Sequence, residues 1–139
     1  MMKPLLTFAL VALSLSIAAP MVKAVSENPV LTIEEVHLDR SKVRHGNVSK
    51  FDVEGAQTVG TIRSTEIYEQ IPAYQAIQKE GLEKGSARYN KLIRQATKSY
   101  KAALKKVAAE KSFALIVEEG GISGYAHVTD ATSDIISAL

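Results

Sequence analysis

The segment from residue 87 to residue 111 has the most regular apolar spacing in the chain, and it constrains the fold more than any other feature. Ile93, Tyr100 and Val107 are seven residues apart, and Ala96 and Ala103 follow the first two by three residues. A seam with this period packs along a second helix, as in a coiled coil. The spacing therefore predicts a long helix whose apolar seam consists of Ile93, Ala96, Tyr100, Ala103 and Val107.

Positively charged residues occupy the outer side of this predicted helix. Residues 86–111 contain eight Lys and Arg residues and one acid, Glu110, which gives a net charge of +7. Six of the cations define what we call the basic face: Arg88, Lys91, Arg94, Lys98, Lys101 and Lys105. Such a face is either an ordinary solvated helix surface or a binding surface for anionic partners. Acidic unfolded chains, anionic lipid and lipopolysaccharide are the candidate partners.

A shorter helical pattern precedes the long helix. Apolar residues at steps of four and three run from Ile67 to Ile77, with Ser64 as the predicted N-cap and Pro72 as a point where the helix kinks or restarts. Gly81 and Gly85 favour a chain reversal at residues 84–87, and one continuous helix is the alternative. The two segments then form an antiparallel helical hairpin, a coiled-coil-like arm of about residues 64–111.

Short apolar runs on both sides of the arm predict a small sheet. Val59–Ile62 predicts a strand before the arm, and the run Phe113–Val117 predicts a buried strand after it. Gly120-Gly121 is typical of a tight hairpin turn into a further strand over residues 122–128, with Glu118-Glu119 as solvated turn residues. Thr129-Asp130 can cap a short terminal helix. The predicted class is α+β, a small antiparallel or mixed sheet with a projecting helical hairpin and a short C-terminal helix.

The first 24 residues have the order of a secretory signal peptide. Met1–Lys3 is positively charged, Pro4–Ala19 is uncharged, and Val22-Lys23-Ala24 places small residues at the −3 and −1 positions. Cleavage is predicted after Ala24, with Ala19 as the alternative. An uncleaved anchor is the other interpretation, but the uncharged run of 16 residues is shorter than the roughly 20 that span a bilayer. Export of a chain with no Cys suits the periplasm.

Residues 25–56 form a polar segment, the lead, whose composition is compatible with partial disorder. It carries six acids and four bases, and Val30–Ile33 and Phe51–Val53 are weak strand predictions within it. Loss of residues 1–24 would leave 15 bases and 15 acids. The positive charge of the mature chain is therefore concentrated on the long helix, within a predicted domain at residues 57–139.

The sequence carries no recognisable catalytic constellation. It contains no nucleophile-elbow, phosphate-loop or dinucleotide motif. His37, His45 and His127 lack metal-ligand spacing, and the absence of Cys excludes a thiol nucleophile and a Cys-based zinc site. We expect a protein that is not an enzyme and needs no metal or cofactor. Export argues against nucleic acid as a partner.

Three blocks of residues, taken in order, resemble the OmpH/Skp family of periplasmic chaperones. They are Val59-Gly-Thr-Ile62 running to Ile71-Pro72-Ala73, then Val107-Ala-x-Glu-Lys-x-Phe-x-Leu-Ile-Val117, and finally Gly124-Tyr125 running through Thr129-Asp130 to Leu139. The resemblance spans about residues 57–139, and residues 25–56 have no counterpart in it.

Membership of this family would imply a homotrimer with a nine-stranded body and three helical arms around a cavity. It would also imply ATP-independent holding of unfolded outer-membrane proteins, with no catalytic residue. The arm here is shorter than is usual in the family, and the mature chain is neutral rather than strongly basic. The alternative from the residues alone is a non-catalytic envelope protein that uses its basic face on anionic lipid or lipopolysaccharide.

Overall fold

The computed structural model describes residues 35–139, so the predicted signal peptide and the predicted strand Val30–Ile33 lie outside the described residues. This part of the chain is a mixed α/β structure with small sheets. Its strands are β1 (His37–Leu38), β2 (Val43–Gly46), β3 (Thr58–Ile62), β4 (Phe113–Glu118), β5 (Ile122–Ser123) and β6 (Val128–Asp130). Its helices are α1 (Ser64–Glu69), α2 (Pro72–Glu80), α3 (Ala87–Lys111) and α4 (Thr132–Ser137). No helix in the described range is long and apolar enough to cross a membrane.

The main sheet has the strand order β2-β4-β3-β6. β3 runs parallel to both β4 and β6, and β2 runs antiparallel to β4. The predicted hairpin between the strand at 113–117 and a strand at 122–128 is wrong. The turn itself forms, with the Gly121 amide donating to the Glu118 carbonyl, but both edges of β4 are already occupied by β2 and β3. The chain therefore leaves the main sheet, and β5 pairs with β1 instead.

One face of the main sheet is covered by the helices. Side chains alternate along a strand, so Ile62 and Ile116 point to this face. They pack with fully buried residues of α1, α3 and α4, which include Ile67, Leu104 and Ile135. This cluster is the larger of the two apolar cores.

The opposite face of the main sheet is covered by the lead, whose described part is ordered. Its β1 and two 3-10 turns (Arg40–Lys42 and Val48–Lys50) contribute to this cover, while its β2 forms one outer strand of the sheet. Three residues of the sheet have no exposed surface on this face: Val59, Leu115 and Val117. The apolar side chains of the lead that pack against them are Leu38, Val43, Val48 and Phe51. Residues 35–56 therefore form part of the fold, because their apolar residues, which are spread through polar sequence, pack on this face.

Local side-chain caps determine the conformation of the described part of the lead, whose sequence has no regular apolar period. The side chains of Asp39 and Asn47 accept hydrogen bonds from the amides of Ser41 (3.0 Å) and Ser49 (2.9 Å), and each opens a 3-10 turn. The strand predicted at Phe51–Val53 does not form. These residues lead into a turn, which the Asp52 side chain stabilises by accepting a hydrogen bond from the Glu54 amide.

The helical segments match the sequence prediction closely. α3 spans Ala87–Lys111, begins where the Ser86 hydroxyl accepts from the Tyr89 amide (3.2 Å), and ends at Ser112 with φ of 56°. α2 starts at Pro72, which confirms the predicted restart, so the first helical segment is two short helices. Gly81 adopts a left-handed conformation with φ of 62°, and α2 and α3 are separated at residues 81–86, which overlaps the range of 84–87 predicted for a reversal and contradicts one continuous helix.

Candidate functional site

All six residues of the predicted basic face lie on α3 with exposed side chains. Arg88 differs from the other five because it is paired with Glu80 of α2, through Nε to Oε2 and Nη2 to Oε1 contacts of 2.5 Å each. This pairing raises the pKa of Arg88 and lowers the pKa of Glu80. Arg88 therefore bridges the turn between α2 and α3, and its charge is largely neutralised.

The remaining five cations form what we call the open stripe: Lys91, Arg94, Lys98, Lys101 and Lys105. They are separated alternately by three and four residues, so they lie along one side of α3 over about 21 Å. Of the acids in residues 35–139, none lies within 4.0 Å of any of these five side chains. Each cation is thus available to an external anion.

A shallow depression lies along the flank of the open stripe. It is lined by Ile93, Arg94, Thr97, Lys98 and Lys101. Ile93 and Thr97 are half-buried, and the Thr97 hydroxyl accepts from the Tyr68 hydroxyl of α1 at 3.3 Å. Because lysine and arginine carry long aliphatic stems, this surface offers apolar contact beside positive charge. It can hold an extended acidic or amphipathic segment without reading its sequence.

The seam on the other side of α3 is largely part of the protein core. Ala96, Tyr100, Ala103 and Val107 are buried in the cluster that includes Ile62 and Ile116 of the sheet, while Ile93 is half-buried. The sequence analysis assigned all five seam residues to the contact between the two arm helices. Because α3 lies across the sheet for its last four turns, most of the seam faces strands and short helices, and α2 packs against α3 nearer its beginning.

A polar cluster that the sequence did not indicate joins the sheet to two helices. Glu118 at the end of β4 accepts from the Ser64 amide (2.9 Å) and the Ser64 hydroxyl (2.5 Å) at the start of α1. The Tyr100 hydroxyl lies 2.6 Å from the Ser64 hydroxyl. Because the Ser64 hydroxyl donates its proton to Glu118, Tyr100 is the donor to Ser64. Arg44 of β2 donates to Glu118 at 3.3 Å. Burial of Tyr100 raises its pKa.

This polar cluster corrects two sequence predictions. Ser64 is the first residue of α1 rather than its N-cap, and the Glu118 carboxylate caps the helix in its place. Glu118 is half-buried rather than a solvated turn residue, whereas Glu119 is exposed as predicted. The available signal was the alternation of β4, which places Glu118 on the same face as Ile116 and so beneath the helices.

A second ionic group fastens β6 to the rest of the sheet. Arg63 donates to Glu66 at 2.7 Å and to Asp130 at 2.9 Å, and these bonds raise the pKa of Arg63. Hydrogen bonds from Thr132, and then the interaction with Arg63, lower the pKa of Asp130. The Asp130 carboxylate accepts from the Thr132 amide at 2.9 Å, but the N-cap of α4 is Ala131, so the predicted cap at Thr129-Asp130 lies before the actual one.

The histidines do not converge on one another. His37 and His127 are exposed and His45 is half-buried. In residues 35–139 no group of three or more His, Asp and Glu side chains could hold a metal ion. The open stripe on α3 is therefore the surface whose chemistry points most directly to a partner.

Comparison of the chain with protein-family models, with curated proteins and with solved structures gave no match. The function is accordingly argued from the residues and their geometry.

Proposed function

We propose that this protein is an exported, non-enzymatic holdase that binds unfolded outer-membrane proteins in the periplasm without ATP. The observation that carries the proposal is the open stripe, five exposed cations on one side of α3 with no acid of residues 35–139 in contact. Unpaired cations over about 21 Å attract acidic segments at long range, and the adjoining Ile93 and Thr97 add short-range apolar contact.

The proposal assigns a distinct part to each end of α3. The last turns are fixed in the core by Tyr100, Leu104 and Val107, so the helix presents the stripe on a rigid support. The first turns pack with α2, and the Arg88–Glu80 pair closes their junction. In this proposal α2 supports the beginning of α3 as a short projecting arm, and the open stripe is the surface of that arm that contacts the client.

Assembly as a homotrimer belongs to the same proposal, because it would bring three open stripes around one client. The main sheet has β2 and β6 as its outer strands, and all three residues of β6 are exposed. Pairing between such edges is a common route to subunit contact. Size-exclusion chromatography with light scattering should give three times the mass of the mature chain, and a stable monomer would contradict the trimer.

Aggregation of an unfolded outer-membrane protein, followed by light scattering after dilution from urea, tests the holding activity. We expect the protein to suppress aggregation in proportion to its concentration, without ATP, and less effectively as salt screens the stripe. The Debye length falls from about 10 Å at 0.1 M salt to about 3 Å at 1 M salt. Absence of suppression at every ratio of protein to client would contradict the proposed function.

A second candidate function uses the same stripe on an anionic membrane surface or lipopolysaccharide. The regular spacing of the five cations along one side of a helix favours it, because a charged helix can lie along such a surface. Sedimentation with vesicles that contain anionic lipid would detect this binding. Unchanged binding after Lys91, Lys98, Lys101 and Lys105 are replaced with Gln would exclude the stripe as the lipid-binding surface.

A further inference from the structure

The lead covers an apolar sheet face with a thin layer. Val59, Leu115 and Val117 beneath it are fully buried, and Ile122 and Tyr125 lie at the border of the same cluster. In the covering segment itself, residues 35–56, every side chain is half-buried or exposed. The apolar face therefore depends on the lead for its burial, while residues 35–56 contribute no fully buried residue in return.

The strands that connect residues 35–56 of the lead to the rest of the protein are short. β1 has two residues, β2 has four, and β2 pairs with β4 through an irregular register between Val43 and His45. Within residues 35–56, most side-chain hydrogen bonds stay inside the lead or reach its immediate neighbours, and Arg44–Glu118 is the ion pair that leaves it. Short edge elements with exposed backbone bonds and few buried contacts belong to the least stable part of a fold.

We propose that the lead is a displaceable cover, and that the site beneath it binds an extended, amphipathic segment of a client. Detachment of β2 would free one edge of β4 and expose the face formed by Val59, Leu115 and Val117. An incoming strand can then pair antiparallel with β4 and lay its apolar side chains on this face, which is strand addition to an open sheet edge. This inference rests on the proposed function and names a second, apolar client site for it.

The lead itself indicates the chemistry that the site accepts. Val43 pairs with Val117 in antiparallel register, and Phe51 packs edge-on against Tyr125 with ring centroids 5.4 Å apart. The occupant is therefore an extended chain with apolar or aromatic side chains on one side. Strands of outer-membrane barrels have this alternation of apolar and polar residues over about ten residues. The two sites are complementary, since α3 offers charge and the sheet face offers apolar contact.

A reversible covalent lock tests this directly, because the chain contains no Cys that could compete. Val43 and Val117 are directly paired in an antiparallel ladder, where Cα atoms lie about 4.5–5.5 Å apart, a separation that a disulfide can bridge.

The probe is a labelled peptide of about ten residues with alternating apolar and polar residues. In the V43C/V117C variant, we expect the oxidised form to bind the probe at least about tenfold more weakly than the reduced form. The single variants V43C and V117C control for the reductant and for the lost valines.

A loosened lead should have the opposite effect. Phe51→Ala removes the contact with Tyr125 and lies outside the receiving face. If the lead competes with the client, this variant binds the peptide several-fold more tightly than the unmodified protein. If the lead is only a structural part of the fold, F51A binds no better and oxidation of the lock changes nothing, which would overturn the inference. Circular dichroism of each variant verifies that the fold is retained.

The aggregation assay separates this inference from the proposed function. The displaceable cover is overturned, and the holdase stands, if the unmodified protein suppresses aggregation and the oxidised and reduced forms of V43C/V117C suppress it equally. Loss of suppression in the unmodified protein overturns the holdase, whereas peptide binding that depends on the lock would still support the apolar site.

Discussion

Glu118 connects more parts of the described structure than any other side chain of its cluster. It caps α1 through the Ser64 amide, accepts from the Ser64 hydroxyl that Tyr100 also contacts, and pairs with Arg44 of the lead. It therefore links β4, α1, α3 and the lead at one half-buried point. Only a carboxylate has two acceptor oxygens with which it can accept all of these hydrogen bonds at once.

Replacing Glu118 with Gln should destabilise the protein by about 1–3 kcal/mol. The amide keeps the size of the side chain, but it loses its charge and one of its two acceptor oxygens, so a helix cap and the Arg44 pairing are weakened. Urea unfolding measures the change. Glu119→Gln is the matched control, because Glu119 is exposed and its nearest cation, Arg63, lies 3.9 Å away. Equal stability of the two variants would contradict the role of Glu118.

Asp130 makes the attachment of β6 sensitive to acid. Its pKa is lowered in the folded protein, mainly by Thr132 and then by Arg63, so its stabilising contribution is present above the unfolded value of 3.8 and is lost as the pH falls through the folded value. We expect the protection of the β6 amides, taken relative to their intrinsic exchange rates, to fall below about pH 4. Asp130→Asn should abolish most of this dependence, and an unchanged acid profile in that variant would contradict the assignment.

Gly46 is the residue of β2 that fixes how closely this strand lies to β4. Its φ is +102°, and a Cβ built there would lie 2.3 Å from the carbonyl oxygen of Ala114. A side chain at this position would push β2 away from its partner. The contact is specific to the strand pair, since a Cβ at Gly85, whose φ is +92°, would meet nothing within 4 Å.

Gly46→Ala should therefore destabilise β2 by about 2–4 kcal/mol, whereas Gly85→Ala should cost about 1–2 kcal/mol from backbone strain alone. Urea unfolding gives the two values, and amide exchange of residues 43–46 localises the effect. If both variants lose the same stability and exchange in β2 is unchanged, the close approach of β2 to β4 is not a constraint.

At the scale of elements, the sequence predicted those that have a strong internal period. The spacing of Ile93, Tyr100 and Val107 located α3, and the restart at Pro72 and the strands at 58–62 and 113–118 were also predicted. The lead and the partner of β4 were not. Pairing between β2 and β4 joins residues about 70 apart, and it depends on which edges are free rather than on any local pattern.

The same distinction applies to the candidate site. The basic face was predictable because charge on a helix follows from spacing alone. The difference between Arg88 and the open stripe was not predictable, because the position of Glu80 depends on how the turn at residues 81–86 brings α2 against α3. The polar cluster required three elements to meet at Glu118, which no single segment reveals.

At the scale of the whole molecule, positive and negative charge in residues 35–139 are concentrated on different surfaces. α3 carries the open stripe, while the acids Glu66, Glu119 and Asp130 gather around the single cation Arg63 on the sheet side. The described part of the lead covers the second sheet face, and the proposed assembly therefore uses the exposed outer strand β6.

The central claim is that the open stripe holds non-native chains, and a matched pair of variants tests it most directly. One variant replaces Lys91, Lys98, Lys101 and Lys105 with Gln. The control replaces Lys50, Lys79, Lys84 and Lys106, which are exposed, are not members of the open stripe, and have no acid of residues 35–139 within 4.0 Å. Both lose the same net charge.

The measurement is the protein concentration that halves aggregation of an unfolded outer-membrane protein. Four exposed charge contacts at about 0.2–1 kcal/mol each amount to about 1–4 kcal/mol of binding free energy. The stripe variant should therefore need at least about fivefold more protein, while the control should match the unmodified chain. Equal loss of activity in both variants, or in neither, would contradict the account.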